Sequence, residues 1–317
     1  MPSGHKSRAV VITEFVDDLN DIEVSEVDRP LPKLDEYLIQ VKAAGVNFVD
    51  TLYAKGKHQN NRSLVRPPFV LGLEFSGVIL SAPVHSHFRR GERVFGGCMG
   101  SYSEVISLPA SAPLHRIPTD WTFAEAAGIA ATLPVSYAAL LRAGIKPGQS
   151  VLVHAAAGGL GLMAVQVATA IGCHVIGTAG SPEKCAVAEK AGARSCVNYT
   201  QEAAWWERVL ELTGHKGADI VFDPVGLVDR SLKCIAHRGK ILIVGFAGIT
   251  DGMEHIAMNR ILLKQASLVG YPIVYEMEYN GLEQVPRALK DMTDRKVWGK
   301  AVVILNGNAT GASRARI

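Results

Sequence analysis

Apolar and polar positions fall into two textures along this chain. In its first part, short runs rich in Val, Ile and Phe occur at 8–13, 37–44, 74–81, 93–95 and 103–108. Gly and the prolines at 30, 32, 67, 68, 83 and 109 separate them. Such runs between turn residues predict strands, here a compact, mostly antiparallel domain with the form of a partly closed barrel. Near Trp121 the texture changes. Residues 124–142 have helical composition, and Pro134 is expected to kink or divide that helix. From Ser150, apolar strands at 151–154, 173–178, 195–197, 219–222 and 240–244 alternate with helices at 160–171, 182–191, 202–213 and 228–234. Strands that are apolar throughout, each followed by a helix, predict a parallel sheet covered on both faces. The fold class is therefore α/β: a Rossmann-type doubly wound parallel sheet joined to a mostly antiparallel β domain. Beyond Met258 the pattern weakens. Residues 267–270 and 301–305 read as strands, 279–291 as a helix, and the tail lacks periodicity.

Composition narrows the function classes. At 317 residues, 48% hydrophobic and 20% charged, the chain is long enough for two globular domains. The formal charge of +3, with no basic block, argues against nucleic acid as a partner. The five cysteines are widely spaced with no CxxC pair, which fits neither a disulfide framework nor a zinc lobe and suits a reducing compartment. No window approaches the roughly 18 apolar residues of a membrane span. The chain reads as soluble and cytoplasmic.

The run VLVHAAAGGLG at 151–161 passes from strand through a glycine loop into a helix. A dinucleotide-binding loop needs a bare backbone where the diphosphate approaches and a last glycine where helix packs on strand. Gly158 and Gly161 occupy those places, and Ala156 replaces the first glycine of the fingerprint, implying a slightly altered turn. Backbone N–H groups of Ala157, Gly158, Gly159, Leu160 and Gly161 are then candidates to hold the diphosphate. The acid that grips the adenosine ribose about 20 residues further on is missing, and Thr178-Ala179-Gly180-Ser181 stands there. Gly180 leaves space, Ser181 supplies a donor, and Lys184 lies in the next helix. A lysine on a helix face is ordinarily just solvated; following an acid-free GTAGS, it reads as a phosphate contact. The pattern selects NADPH over NADH. Two further loops, with Asp223 and Val225 after one strand and Gly245, Phe246 and Ala247 after the next, fall at carboxyl ends of strands and are candidate walls for the nicotinamide half. Asp223 has a second reading as a cap of its turn.

Several stretches, in order and spacing, resemble the zinc-free, zeta-crystallin-like quinone oxidoreductase branch of the medium-chain dehydrogenase/reductase family. They are AAGVNFVDTLYAKGKHQ at 43–59, PFVLGLEFSGVI at 68–79, AAAGGLGLMAVQVA at 155–168, GADIVFDPVG at 217–226, GKILIVGFAG at 239–248 and LLKQASLVG at 262–270. The resemblance implies a GroES-like catalytic domain beginning at 1–122, a Rossmann NADPH-binding domain at 123–262, and a segment 263–317 that completes the sheet edge, serves dimerisation and returns to the first domain. It implies NADPH-dependent reduction of quinones or of the C=C bond of enones, and a homodimer. It also carries over Asn47, Asp50 and Tyr53 as active-site residues, and Ser181, Lys184 and Tyr199 as 2′-phosphate contacts. The zinc enzymes of the superfamily place Cys and a Gly-His-Glu triplet where this chain has Asn47-Phe48 and Gly72-Leu73-Glu74. Leucine is no metal ligand, so no metal site is expected. Lys57-His58 also departs from the Tyr common in relatives.

A conjugated acceptor is already activated by its carbonyl, so hydride transfer needs positioning and a donor to the developing oxyanion more than a metal. Tyr53 is the candidate donor, or else a half-buried aromatic closing the cleft. Asn47 is expected to orient a carboxamide or carbonyl. Asp50 either positions Asn47 or a water, or caps a helix. The alternative in a different class is a non-catalytic NADPH-binding protein.

Overall fold

The computed structural model describes residues 6–58, 65–248, 254–270, 278–280 and 302–304. In chain order, its first part comprises β1 (Lys6–Ile12), β2 (Val24–Asp28), β3 (Glu36–Gly45), α1 (Phe48–Ala54), β4 (Phe69–Val70), β5 (Glu74–Ser81), β6 (Arg93–Gly97), β7 (Val105–Pro109), β8 (Leu114–Arg116) and α2 (Phe123–Ala127). Strands β7-β3-β5-β6-β8 form an antiparallel sheet, and β2-β1-β4 a smaller one. Tyr37, Ile39, Phe75, Ile79 and Val94 make the core of the larger sheet. Strands β4 and β8 escape sequence reading because two and three residues are too few to show alternation, and β2, VSEVD, escapes it because Ser, Glu and Asp outnumber its two valines.

The expected helix over 124–142 is two helices, α2 and α3 (Leu133–Arg142). The break lies at 128–132, ahead of Pro134, which sits in the first turn of α3 where its missing N–H costs no helical bond. Helix α2 packs on β3 and β5, and Ser76 Oγ on β5 donates to Phe123 O at 2.6 Å. The chain therefore crosses between the two sheets through 128–132.

The second part runs β9 (Ser150–Val153), α4 (Gly159–Ile171), β10 (His174–Ala179), α5 (Pro182–Lys190), β11 (Ser195–Asn198), α6 (Trp205–Leu212), β12 (Ala218–Asp223), α7 (Val228–Ser231), β13 (Ile235–Ile243), α8 (Met258–Lys264) and β14 (Ser267–Gly270). All neighbours in the sheet β11-β10-β9-β12-β13-β14 are parallel. Successive side chains alternate between faces. Val151, Val153, Ile220 and Phe222 enter a core with α3, α4 and α5. Leu152, Val221 and Ile241 enter the opposite core, with α6 and α7. Burial of each large side chain stabilises by about 1.5–3 kcal/mol, and having both faces covered is why these strands read as unbroken apolar runs. Helix α7 ends at Ser231, short of the expected 228–234, and β13 begins at Ile235, ahead of the expected 240. Residues 267–270 extend the sheet as its edge strand.

The last strands are β15 (Glu278–Asn280) and β16 (Val302–Ile304), paired in parallel. Of the helix expected over 279–291, residues 279–280 lie in β15 instead, and 281–291 fall outside the described residues. The aperiodic tail after 304 also lies outside them.

Candidate functional site

Strand order reverses between β9, with its neighbours β10 and β11 on one side, and β12 on the other. In an open parallel sheet, ligands bind in the crevice outside the carboxyl ends at such a point. The loop from β9 to α4 lies there. Gly158 is the N-cap of α4, in extended conformation, and its N–H is tied to Ala155 O at 2.8 Å. Gly158 and Gly159 are exposed, whereas Gly161 is buried. A Cβ at Gly161 would lie 2.1 Å from Ala155 O, so that glycine lets helix meet strand as expected. The unusual turn conformation falls at Ala155, with φ 47°, and not at Ala156, which is wholly buried. The first-turn N–H groups of Gly159, Leu160 and Gly161 have no acceptor within their own helix. The Leu160 side chain packs into the core, and its carbonyl accepts from Ser136 Oγ at 2.9 Å, so its N–H is the part it can offer a ligand. Ala157 is half-buried beside it.

At the end of β10, Ser181 caps α5, its Oγ accepting from the Lys184 N–H at 3.3 Å. The Lys184 side chain is exposed and makes no hydrogen bond or ion pair among the described residues. Tyr199 follows β11, its N–H donating to Ala179 O at 3.1 Å. Its hydroxyl stands 2.6 Å from where a Cβ of Gly180 would be, with the ring 45% exposed. Gly180, Ser181, Lys184 and Tyr199 thus surround one open place; no acid stands at the end of β10 itself, but the Glu183 carboxylate in the first turn of α5 accepts from the Ser181 hydroxyl, which holds its pKa below the usual carboxylate value. Thr200, unmarked in the sequence reading, borders it: its hydroxyl donates to Asn198 Oδ1 at 2.7 Å.

The two remaining loops are sewn to each other. Ala247 N–H donates to Pro224 O at 3.1 Å, and Gly248 N–H to Val225 O at 2.9 Å. The Asp223 carboxylate is completely buried and accepts from the N–H groups of Val225 (2.8 Å), Gly226 (2.9 Å) and Leu227 (2.6 Å). Its side chain is the cap of its turn and shapes the loop from beneath. Val225, Gly245 and Phe246 are half-buried, and Ala247 is exposed.

In the first domain, Asn47 is the N-cap of α1, and Asp50 lies in its first turn. Asp50 Oδ2 accepts from the Asn47 N–H at 2.8 Å and from the Tyr102 hydroxyl at 2.6 Å, while Oδ1 is buried without a partner. Asp50 therefore holds the backbone of Asn47, and it does so as a helix cap. The Asn47 side chain faces the Asp50 N–H in a capping box, and its Nδ2 donates to Glu74 Oε1 at 2.9 Å. Burial pushes both the Asp50 and the Glu74 carboxyls above the usual carboxylate range. Tyr53 is half-buried and stacked on His58, with ring centroids 4.5 Å apart. Burial, then the Asp50 charge, pushes its phenol up, keeping the proton that a donor needs. Glu74 and Tyr102 organise this cluster; in the sequence, Glu74 counts only as part of a metal triplet. A buried acid in a strand was the available signal.

The description "Alcohol dehydrogenase GroES-like domain" matches residues 33–119, and "Zinc-binding dehydrogenase" matches 159–288. The chain is 38% identical to quinone oxidoreductase-like protein 2 of Rattus norvegicus, over 83% of this chain and 74% of that one. It is 32% identical to the Homo sapiens quinone oxidoreductase, over 85% of this chain and 82% of that one. The chain belongs to the quinone oxidoreductase family. Among solved structures, the Escherichia coli quinone oxidoreductase complexed with NADPH matches with TM-score 0.74 at 26% identity, covering 94% of this chain and 99% of that one. The Pseudomonas syringae quinone oxidoreductase matches with TM-score 0.74 at 27% identity, with the same coverage.

Although the description matched by residues 159–288 names zinc, the residues do not suit that ion. Among the described residues, no three His, Cys, Asp or Glu side chains gather to hold a metal. Leu73 carries no ligand atom, and the two Glu74 oxygens are taken by Asn47 Nδ2 and the Ala131 N–H. No step is therefore routed through a metal.

Proposed function

We propose that this chain is an NADPH-dependent, zinc-independent reductase that delivers hydride to a quinone or to the C=C bond of an α,β-unsaturated carbonyl compound. The observation that carries this reading is the crevice itself: a bare-backbone diphosphate loop at 158–161 and an adenosine end with no acid closing β10, where Ser181, Lys184 and Tyr199 gather. NADPH, when bound, supplies the hydride. The first-turn N–H groups of α4 would hold its diphosphate, and Lys184 with the Ser181 and Tyr199 hydroxyls would hold the 2′-phosphate. Val225, Gly245, Phe246 and Ala247 wall the nicotinamide half. Tyr53, kept protonated, is the donor to the oxygen on which charge develops. Asn47 orients the nicotinamide. A cytoplasmic homodimer completes the proposal; the unpaired cysteines support a reducing compartment. Among the described residues no helix is long and apolar enough to cross a membrane.

The test is loss of NADPH absorbance with purified protein and a panel of benzoquinones, naphthoquinones and enones. Turnover with either acceptor class is expected. Tight NADPH binding with no turnover across the panel would replace this reading with that of a non-catalytic NADPH-binding protein.

A further inference from the structure

Helix α7 has no cap of its own. Its N-cap residue is Leu227, which makes no side-chain cap bond, and so short a helix does not hold its shape without outside partners. The acceptor comes from far along the chain. Glu254 Oε2 accepts from the Val228 N–H at 2.8 Å and Oε1 from the Asp229 N–H at 2.9 Å, across 26 and 25 residues. The N–H groups just before these, of Val225, Gly226 and Leu227, end on Asp223. Every backbone N–H from 225 to 229 is thus held by one carboxylate or the other. The tie runs both ways, since Asp229 accepts from the Ala257 N–H at 2.9 Å and pairs with Arg260 at 2.6 Å.

This clamped segment starts at the crevice. Strand β12 lies directly beside β9, with Phe222 opposite Val153, and the His154 N–H donates to Phe222 O at 3.0 Å. The chain leaving β12 at Asp223 therefore sets out alongside the chain that leads from β9 to the diphosphate loop, where the strand order reverses. Pro224 O and Val225 O take the N–H groups of Ala247 and Gly248, and a Cβ at Gly248 would run into Val225 Cγ1. Residues 245–248 lean on 224–225, and Glu254, further along the same chain, is fastened to 228–229.

We propose that Glu254 is a positioning residue for the nicotinamide half of the crevice: by capping α7 from a distance it fixes Val225 and the 245–248 wall in one arrangement. The inference rests on the NADPH reading, under which those residues face the nicotinamide. Both carboxylate oxygens are needed, because an ionised carboxylate accepts at each, whereas an amide accepts at one end and donates at the other.

Replacing Glu254→Gln keeps the volume but turns an amine toward either the Val228 or the Asp229 N–H. One such lost bond shifts an equilibrium by about tenfold. A wall in its binding arrangement about a tenth of the time weakens any ligand that touches it about tenfold. NADP⁺ should therefore bind about tenfold more weakly to Glu254→Gln. Adenosine 2′,5′-bisphosphate carries the 2′-phosphate but no nicotinamide, and its affinity should stay within about twofold of the wild-type value. Its binding also reports that the variant is folded. Arg260→Met is the control, since it removes the ion pair with Asp229 and leaves both Glu254 bonds in place. Whatever its melting temperature, the ratio of the two affinities should remain that of the wild type.

Both ligands are titrated by calorimetry against the wild-type protein and the two variants. Weakening confined to NADP⁺ and to Glu254→Gln is the result expected. Unchanged affinities in Glu254→Gln, equal loss of both ligands, or the same selective loss in Arg260→Met would each overturn the proposal. A wild-type protein that binds neither ligand would overturn the NADPH reading, and this inference with it.

Discussion

The replacement Gly161→Ala separates the two duties of the glycine loop. A Cβ there would meet Ala155 O at 2.1 Å and Ala155 C and Ala156 Cα at 2.9 Å, against 3.4 Å or more for ordinary contact. All three are backbone atoms, so no side-chain rotation relieves the clash, and α4 must move off β9 by about an ångström. Overpacking of this kind costs about 1–3 kcal/mol, and this site belongs at the upper end. The better helix propensity of alanine returns at most about 1 kcal/mol. The net loss of about 2 kcal/mol lowers the melting temperature by roughly 4–8 °C for a unit of this size. NADPH affinity should fall as well, because the shifted first turn misaligns its N–H groups. Gly159→Ala is the control. Its Cβ meets only Thr132 Cγ2, at 3.3 Å, and the position is otherwise exposed. It should melt near the wild-type temperature yet bind NADPH poorly, since a methyl group would stand where the diphosphate approaches. Thermal melts followed by circular dichroism, with and without NADPH, make the comparison. A Gly161→Ala protein that melts and binds like the wild type would refute the packing argument.

Three other outcomes follow from the same geometry. Lys184→Ala should weaken NADPH by roughly tenfold or more and leave NADH nearly unchanged in a fluorescence titration; equal losses would remove Lys184 from the phosphate site. Ser231→Ala should cost about 1–3 kcal/mol in a denaturant melt, because Ser231 Oγ, already donating to Leu227 O at 2.7 Å, is the acceptor for the wholly buried His154 Nε2–H at 2.9 Å. An unchanged midpoint would show that the imidazole finds another partner. Burial, opposed in part by the Asp223 charge, holds the His154 pKa below its ordinary 6.5. The unfolded chain therefore takes up a proton first as pH falls. Stability is fully present above about pH 6.5 and drains below it toward the lowered pKa. His154→Gln should flatten that part of a melting curve series run from about pH 8 to about pH 5, and parallel series for the two proteins would contradict it.

The doubly wound sheet was legible because both its faces are buried, which leaves apolar runs such as 151–153 and 219–222 unmistakable. The diphosphate loop was legible for a related reason, since close backbone approach tolerates little but glycine. Placement of backbone strain was not: Ala155 and Ala156 are chemically alike, and only the path of the chain decides which adopts positive φ. Asp223 carries two readings in the sequence, ligand wall and cap, because both uses favour a short acid after a strand. Three backbone N–H groups converging on it settle which use its side chain serves. Glu74 and Tyr102 stayed hidden as members of the Asn47–Asp50 cluster because their partnerships span 27 and 52 residues. Contacts over such separations leave no periodic trace.

The place between Gly180 and Tyr199 also bears on how this cofactor preference can change over generations. An NADH enzyme would want an acid at the end of β10, but any side chain on residue 180 would run into the Tyr199 hydroxyl, 2.6 Å from its Cβ. The acid therefore cannot arrive alone. Tyr199 must first swing aside or shrink, and under the proposed function that step gives up a phosphate contact before any ribose contact is gained. Two positions on adjacent strands thus form a ratchet, with a less fit intermediate between one cofactor and the other.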